Sequence, residues 1–110
     1  MINIIIADDQ KLLRESMKGI IEIDGDIRVI GCASDGMEAF KLCAELSPDV
    51  VLMDLKMPGC DGVEGTRRIK EKFSSMKVVV LTTFEDEENI SKAIENGADG
   101  YILKDVSPEE

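Results

Sequence analysis

The chain has 110 residues, enough for one hydrophobic core and too few for two. Apolar residues make up 44 % and charged residues 33 %, a balance that excludes a disordered tail. A formal net charge of -10 sets the chain against nucleic-acid phosphates and anionic membranes, and suits a protein that collects cations or meets a basic partner.

There is no histidine, and the three cysteines, Cys32, Cys43 and Cys60, fall at no metal-ligand spacing. A disulfide framework, a zinc site and a Ser–His or Cys–His catalytic pair are thereby disfavoured, and reduced thiols in a cytoplasmic protein are expected. The opening apolar run meets Asp8 and Asp9 too early for a signal peptide. No apolar run approaches the length of a membrane span.

In chain order, Ile2–Ala7 reads as a first strand, followed by helical spacing at Leu12, Leu13, Met17, Ile20 and Ile21. A second strand is predicted over Ile27–Ala33, then a helix with Met37, Phe40 and Ala44 on its apolar side. The third strand is predicted over Asp49–Met53, followed by a stripe of Val63, Thr66, Ile69 and Phe73. A fourth strand, Lys77–Leu81, precedes a helix marked by Ile90, Ala93, Ile94 and Ala98, with Asp86 placed to cap its start and Gly97 to stop it. Asp99–Leu103 reads as the fifth strand.

Ile4-Ile5-Ile6, Val50-Val51-Leu52-Met53 and Val78-Val79-Val80-Leu81 show no polar alternation. Strands apolar on both sides belong to a parallel sheet covered by helices, so the order predicts an α/β fold with right-handed crossovers. Ser107-Pro108-Glu109-Glu110 reads as an N-cap, a first-turn proline and two acids, the opening of a helix. A final helix cut short there would leave one sheet face half covered.

In such a sheet, ligands bind beyond the carboxyl ends of the strands. The polar residues at those ends are Asp8 and Asp9 after the first, Asp54 after the third, Thr82 and Thr83 after the fourth, and Lys104 after the fifth. Each alone has a structural explanation, such as Asp9 capping the first helix or Asp54 beginning a turn. Together they describe a site. Crowded carboxylates repel one another unless a cation joins them, and Mg²⁺ takes carboxylates, waters and phosphate oxygens. An ammonium and a hydroxyl opposite would hold the remaining phosphoryl oxygens, and an aspartate is a competent nucleophile toward phosphorus.

Four stretches, IIIADDQ, VVLMDLKMPGCDG, VVVLTTF and DGYILKD, in this order and spacing, make the whole chain resemble the receiver domain of two-component response regulators. The LTTF and YILKD wording is similar to the NarL/LuxR-type branch. The resemblance implies a flavodoxin-like, doubly wound five-stranded parallel sheet of order 2-1-3-4-5, with residues 1–110 forming a single receiver domain. It implies that Asp54 accepts a phosphoryl group from a sensor histidine kinase. Asp9, Asp54 and the backbone carbonyl of Lys56 would bind Mg²⁺ directly, and Asp8 directly or through water. Lys104 would pair with the phosphoryl oxygens, Thr82 would bind one, and the backbone amides of Leu55 and Thr83 would complete the cradle. Thr82 and Tyr101 would form the switch. Pro58 and Gly59 would shape the turn.

The same resemblance implies transcriptional output through a C-terminal helix-turn-helix DNA-binding domain absent from this sequence, no membrane partner, and a phosphorylation-dependent homodimer. Its chemistry would be Mg²⁺-dependent self-phosphorylation and autodephosphorylation, without turnover of a separate substrate. Many receivers have proline after the lysine; here Asp105 follows Lys104, which leaves the geometry of that peptide bond open. An aspartate-nucleophile phosphatase of the haloacid-dehalogenase type is the alternative, but it places a second aspartate where this chain has Lys56. A flavodoxin-like cofactor binder would need a Ser/Thr/Gly-rich phosphate loop where Asp8-Asp9-Gln10-Lys11 stands.

Overall fold

The computed structural model describes residues 1–83 and 86–103, and strand alternates with helix throughout. The elements are β1 (Ile2–Ala7), α1 (Lys11–Ile21), β2 (Ile27–Ala33), α2 (Gly36–Leu46), β3 (Val50–Asp54), α3 (Gly62–Lys72), β4 (Lys77–Thr82), α4 (Glu87–Glu95) and β5 (Gly100–Leu103). A single 3-10 turn, Glu22–Asp24, follows α1. The expectations placed on Lys104, on the Lys104–Asp105 peptide and on a helix opening at Ser107 lie outside the described residues.

The five strands form one parallel sheet in the order β2-β1-β3-β4-β5, as the resemblance implied. Strand residues alternate between two cores because successive side chains point to opposite faces. Ile5, Ala7, Val51, Met53, Val78 and Val80 join Ala39 and Cys43 of α2, Ile69 of α3 and Ala93 of α4. Ile4 and Ile6 turn the other way, toward Met17 and Ile21 of α1. Each large aliphatic side chain so buried contributes roughly 1.5–3 kcal/mol.

Three helices thus share one face, and among the described residues α1 alone occupies the other, over β1 and β2. Beyond its reach, Ile102 on β5 remains 50 % exposed. The register of β1 on β2 shifts between Ile4 and Ile5, where Val29 and Gly31 are the successive partners. Ile30 is the extra residue of this bulge, which lets Val29 face one core and Ala33 the other.

Two helix faces differ from the periodic reading. In α1, Leu12 is 77 % and Ile20 69 % exposed, and only Leu13, Arg14, Met17 and Ile21 are partly covered. In α2 the buried residues are Gly36, Ala39 and Cys43, whereas Ala44 faces out. That helix approaches its neighbours through small side chains, which a search for bulky apolar residues passes over.

The helix starts also bear on the site. Asp35 and Asp61 cap α2 and α3 by accepting the amides of Glu38 and Glu64 at 2.8 and 2.9 Å. Glu38 reaches back to accept the Ser34 amide at 2.6 Å, one residue before the cap. Asp86 sits at the start of α4 as expected but makes no side-chain cap; its carboxylate accepts from the Asn89 side-chain amide at 2.9 Å. Gly97, at φ 105°, follows the end of α4 as read. Among the described residues no helix is long and apolar enough to cross a membrane.

Candidate functional site

β1 and β3 are neighbours, with Ala7 opposite Met53 in register. The next residue on each strand is an aspartate, so parallel pairing alone brings Asp8 and Asp54 to one edge of the sheet. Fully buried Ile5, Ile6, Val51 and Met53 hold both strand ends in the core. One carboxylate oxygen from each of Asp8, Asp9 and Asp54 lies within 4.8 Å of the others, and Asp8 and Asp54 are buried while Asp9 is exposed.

Both buried aspartates fold back on the chain in the same way. An Asp8 carboxylate oxygen accepts the Gln10 amide at 2.9 Å, and an Asp54 oxygen accepts the Lys56 amide at 3.3 Å, each two residues on. The Asp8 amide donates to the Ala33 carbonyl at 2.9 Å, and Arg14 Nη1 donates to the Asp8 carbonyl at 2.6 Å. Asp9 does not cap α1; the N-cap position is Gln10.

One expectation needs correction. The Leu55 amide donates to the Leu81 carbonyl at 3.1 Å, extending the β3–β4 ladder one step past Asp54. It is therefore committed to the sheet, and the amide facing the Asp54 carboxylate is that of Lys56. The sequence signal for this was present: an aspartate leaving a strand tends to accept from the amide two positions later.

After Lys56 the chain must turn back to begin α3. Met57 anchors the loop in the core, and Gly59 takes φ 79°, a left-handed conformation that favours glycine. The Gly62 amide then donates to the Leu55 carbonyl at 3.1 Å, closing the loop beneath the carboxylate.

Thr82 ends β4 and is buried, with its hydroxyl directed at the Thr83 carbonyl at 3.5 Å. Tyr101 pairs in register with Val80, and its side chain stands largely outside, 54 % exposed. The described residues thus bring Asp8, Asp9 and Asp54 together and set Thr82 at the end of the strand next to β3. They leave Tyr101 facing outward, and Lys104 lies outside them.

Two unit charges about 4.8 Å apart repel by roughly 3 kcal/mol at an effective dielectric of 20. The donor set is carboxylate oxygen alone, which fits a hard divalent cation such as Mg²⁺ and suits zinc or copper poorly. A cation there would relieve the repulsion among Asp8, Asp9 and Asp54.

Comparison with known proteins agrees with this geometry. The family model described as the response regulator receiver domain matches residues 4–110. The chain is 49 % identical over 107 residues to the transcriptional regulatory protein LnrK of Bacillus subtilis, covering 97 % of this chain and 49 % of that protein. It is 41 % identical over 107 residues to the nitrate/nitrite response regulator protein NarL of Escherichia coli, covering 97 % of this chain and 50 % of that one. The chain therefore spans about half the length of the curated relatives it matches. The crystal structure of a LuxR-family two-component response regulator from Aurantimonas superposes with a TM-score of 0.91 at 34 % identity, covering 100 % of this chain and 79 % of that one. The chain belongs to the response regulator receiver domain family, in its NarL/LuxR-type branch.

Proposed function

We propose that residues 1–110 act as one receiver domain, a phosphoryl-accepting switch in which Asp54 takes a phosphoryl group from a sensor histidine kinase in the cytoplasm. The observation that carries this reading is the convergence of three carboxylates within 4.8 Å at the end of β1 and β3, with Asp54 buried on a fixed strand end. An Asp54 carboxylate oxygen attacks phosphorus, a P–O bond forms, the P–N bond of the donor phosphohistidine breaks, and its electron pair stays on the imidazole. Hydrolysis of the acyl phosphate returns the carboxylate and inorganic phosphate. The domain is a switch, without turnover of a separate substrate.

Asp8, Asp9, Asp54 and the Lys56 carbonyl are the residues assigned to hold Mg²⁺, which when bound supplies charge neutralisation for the phosphoryl oxygens. The amides of Lys56 and Thr83, the Thr82 hydroxyl and the Lys104 ammonium are assigned to the remaining oxygens. The added charge, roughly -1.5 to -2, draws Thr82 toward it, and Tyr101 turns inward to fill the space behind. Output is transcriptional, through a DNA-binding domain outside these residues and a phosphorylation-dependent homodimer.

Mass spectrometry after treatment with acetyl phosphate and Mg²⁺ tests the reading. One added phosphoryl group is expected on Asp54, and none on Asp54→Asn. Equal labelling of the substituted protein would overturn the acceptor assignment.

A further inference from the structure

The corner between β1 and α1 carries two of the three carboxylates and lacks the usual means of fixing a helix start. Gln10, at the N-cap, makes no side-chain cap, and there is no acidic residue in the first turn. Among the described residues the Asp9 carboxylate has no hydrogen-bond or ion-pair partner, so its position depends on the backbone beneath it.

Arg14 supplies the missing restraint. Its amide makes the first helical bond of α1, to Gln10 O at 3.0 Å. Its half-buried guanidinium runs back past the helix start and donates to the Asp8 carbonyl at 2.6 Å. That oxygen belongs to the peptide unit joining Asp8 to Asp9. The unit is planar, so holding its oxygen also directs its N–H and the Cα of Asp9. In a chain with 23 acidic residues, this cation forms no ion pair among the described residues and is spent on a neutral carbonyl.

We propose that Arg14 is a positioning residue of the acidic site: by gripping the Asp8 carbonyl it sets the peptide plane from which Asp8 and Asp9 diverge, and so sets the affinity for a hard divalent cation. The proposal rests on the Mg²⁺-binding reading above. The hydrogen bond, and not the charge of Arg14, is the operative contact.

The test uses the full chain, with Mg²⁺ as the probe. Arg14→Met is expected to weaken Mg²⁺ binding by about tenfold in calorimetry, the usual size for loss of a contact that orients a ligand. In metal-free protein the same substitution is expected to speed hydrogen exchange at the Gln10 amide, which bonds to Asp8. Citrulline at position 14 keeps the N–H donors without the charge; it is introduced by joining synthetic residues 1–31 to residues 32–110 at the native Gly31–Cys32 junction. It is expected to restore both readouts to within about twofold. Arg14→Ala, which also lacks a donor and favours the helix, replaces the methionine variant, with the same expected losses, if that one unfolds.

Unchanged Mg²⁺ affinity together with unchanged Gln10 exchange in the methionine variant would overturn the proposal. So would a citrulline protein that behaves like the methionine variant, because charge would then be the cause. If the unsubstituted protein takes up no Mg²⁺, the metal reading falls, and exchange at Gln10 still decides whether Arg14 holds the corner.

Discussion

The α-carbon of Gly62 lies against the backbone carbonyl of Asp54, so closely that a Cβ at position 62 would sit 2.1 Å from that oxygen. The contact joins the start of α3 to the end of β3, and neither side is a flexible side chain that can step aside. Gly62→Ala is expected to cost roughly 1–3 kcal/mol of stability, as overpacked cores do. It should also slow phosphorylation of Asp54, since the strand end or the helix start must shift. Urea unfolding and acetyl phosphate labelling measure the two effects, and wild-type values in both would show that the approach is looser than described.

Asp9 is the exposed member of the carboxylate trio. Asp9→Asn removes one of three like charges together with a carboxylate proposed above to hold Mg²⁺. Mg²⁺ affinity is expected to fall by at least about tenfold, while the melting temperature in EDTA stays level or rises. A fall in that melting temperature with intact Mg²⁺ affinity would contradict both halves of the argument.

At the opposite edge of the sheet, Asp99 accepts the Val78 amide at 2.9 Å and the Lys70 ammonium at 3.1 Å. Burial alone would raise its pKa, but the Val78 bond, then the Lys70 bond and charge, outweigh burial and hold the carboxyl below its usual value. A folded-state pKa below the unfolded one means stability that is present above about pH 4 and lost as pH falls through the folded value. Asp99→Asn is expected to destabilise by roughly 1–2 kcal/mol near neutral pH, with the gap from wild type closing in acid. Denaturant titrations near pH 7 and near pH 3 check this; a gap of constant size would exclude the ionised carboxylate as its source.

The three thiols differ in reach. Cys43 is fully buried on α2, and burial pushes its pKa up to about 12, whereas Cys32 is exposed and Cys60 partly so. Iodoacetamide is expected to modify Cys32 first and Cys60 more slowly, and to reach Cys43 only after unfolding. Peptide mass mapping of native and urea-treated protein follows this order, and native labelling at Cys43 would contradict the packing of α2 against the sheet.

The strands were legible because a sheet covered on both sides needs apolar residues at consecutive positions, and such runs have visible ends. The bounds of β1 and β2 fall where the runs do. β3 and β4 extend one residue further, onto Asp54 and Thr82, because ladder pairing is a property of the backbone and continues past the last apolar side chain. Asp49 and Asp99 read as strand openings but precede β3 and β5; Asp99 and the neighbouring backbone tie the lower edge of the sheet instead. The Ile30 bulge had no local signal, since it reflects the fit of two strands distant in the chain. Arg14 was equally silent, because its contact with Asp8 runs six residues backward across a helix start. The acidic trio was legible as a set only through the parallel pairing that makes strand ends coincide.

The bond from the Leu55 amide to Leu81 continues the ladder beyond the acidic residue, so position 54 is braced on both sides along the chain. A group landing on that carboxylate meets a rigid mount and cannot be accommodated by recoil of the strand. In the proposed switch the displacement passes sideways instead, to Thr82 and Thr83, which follow Leu81, the last β4 partner of β3.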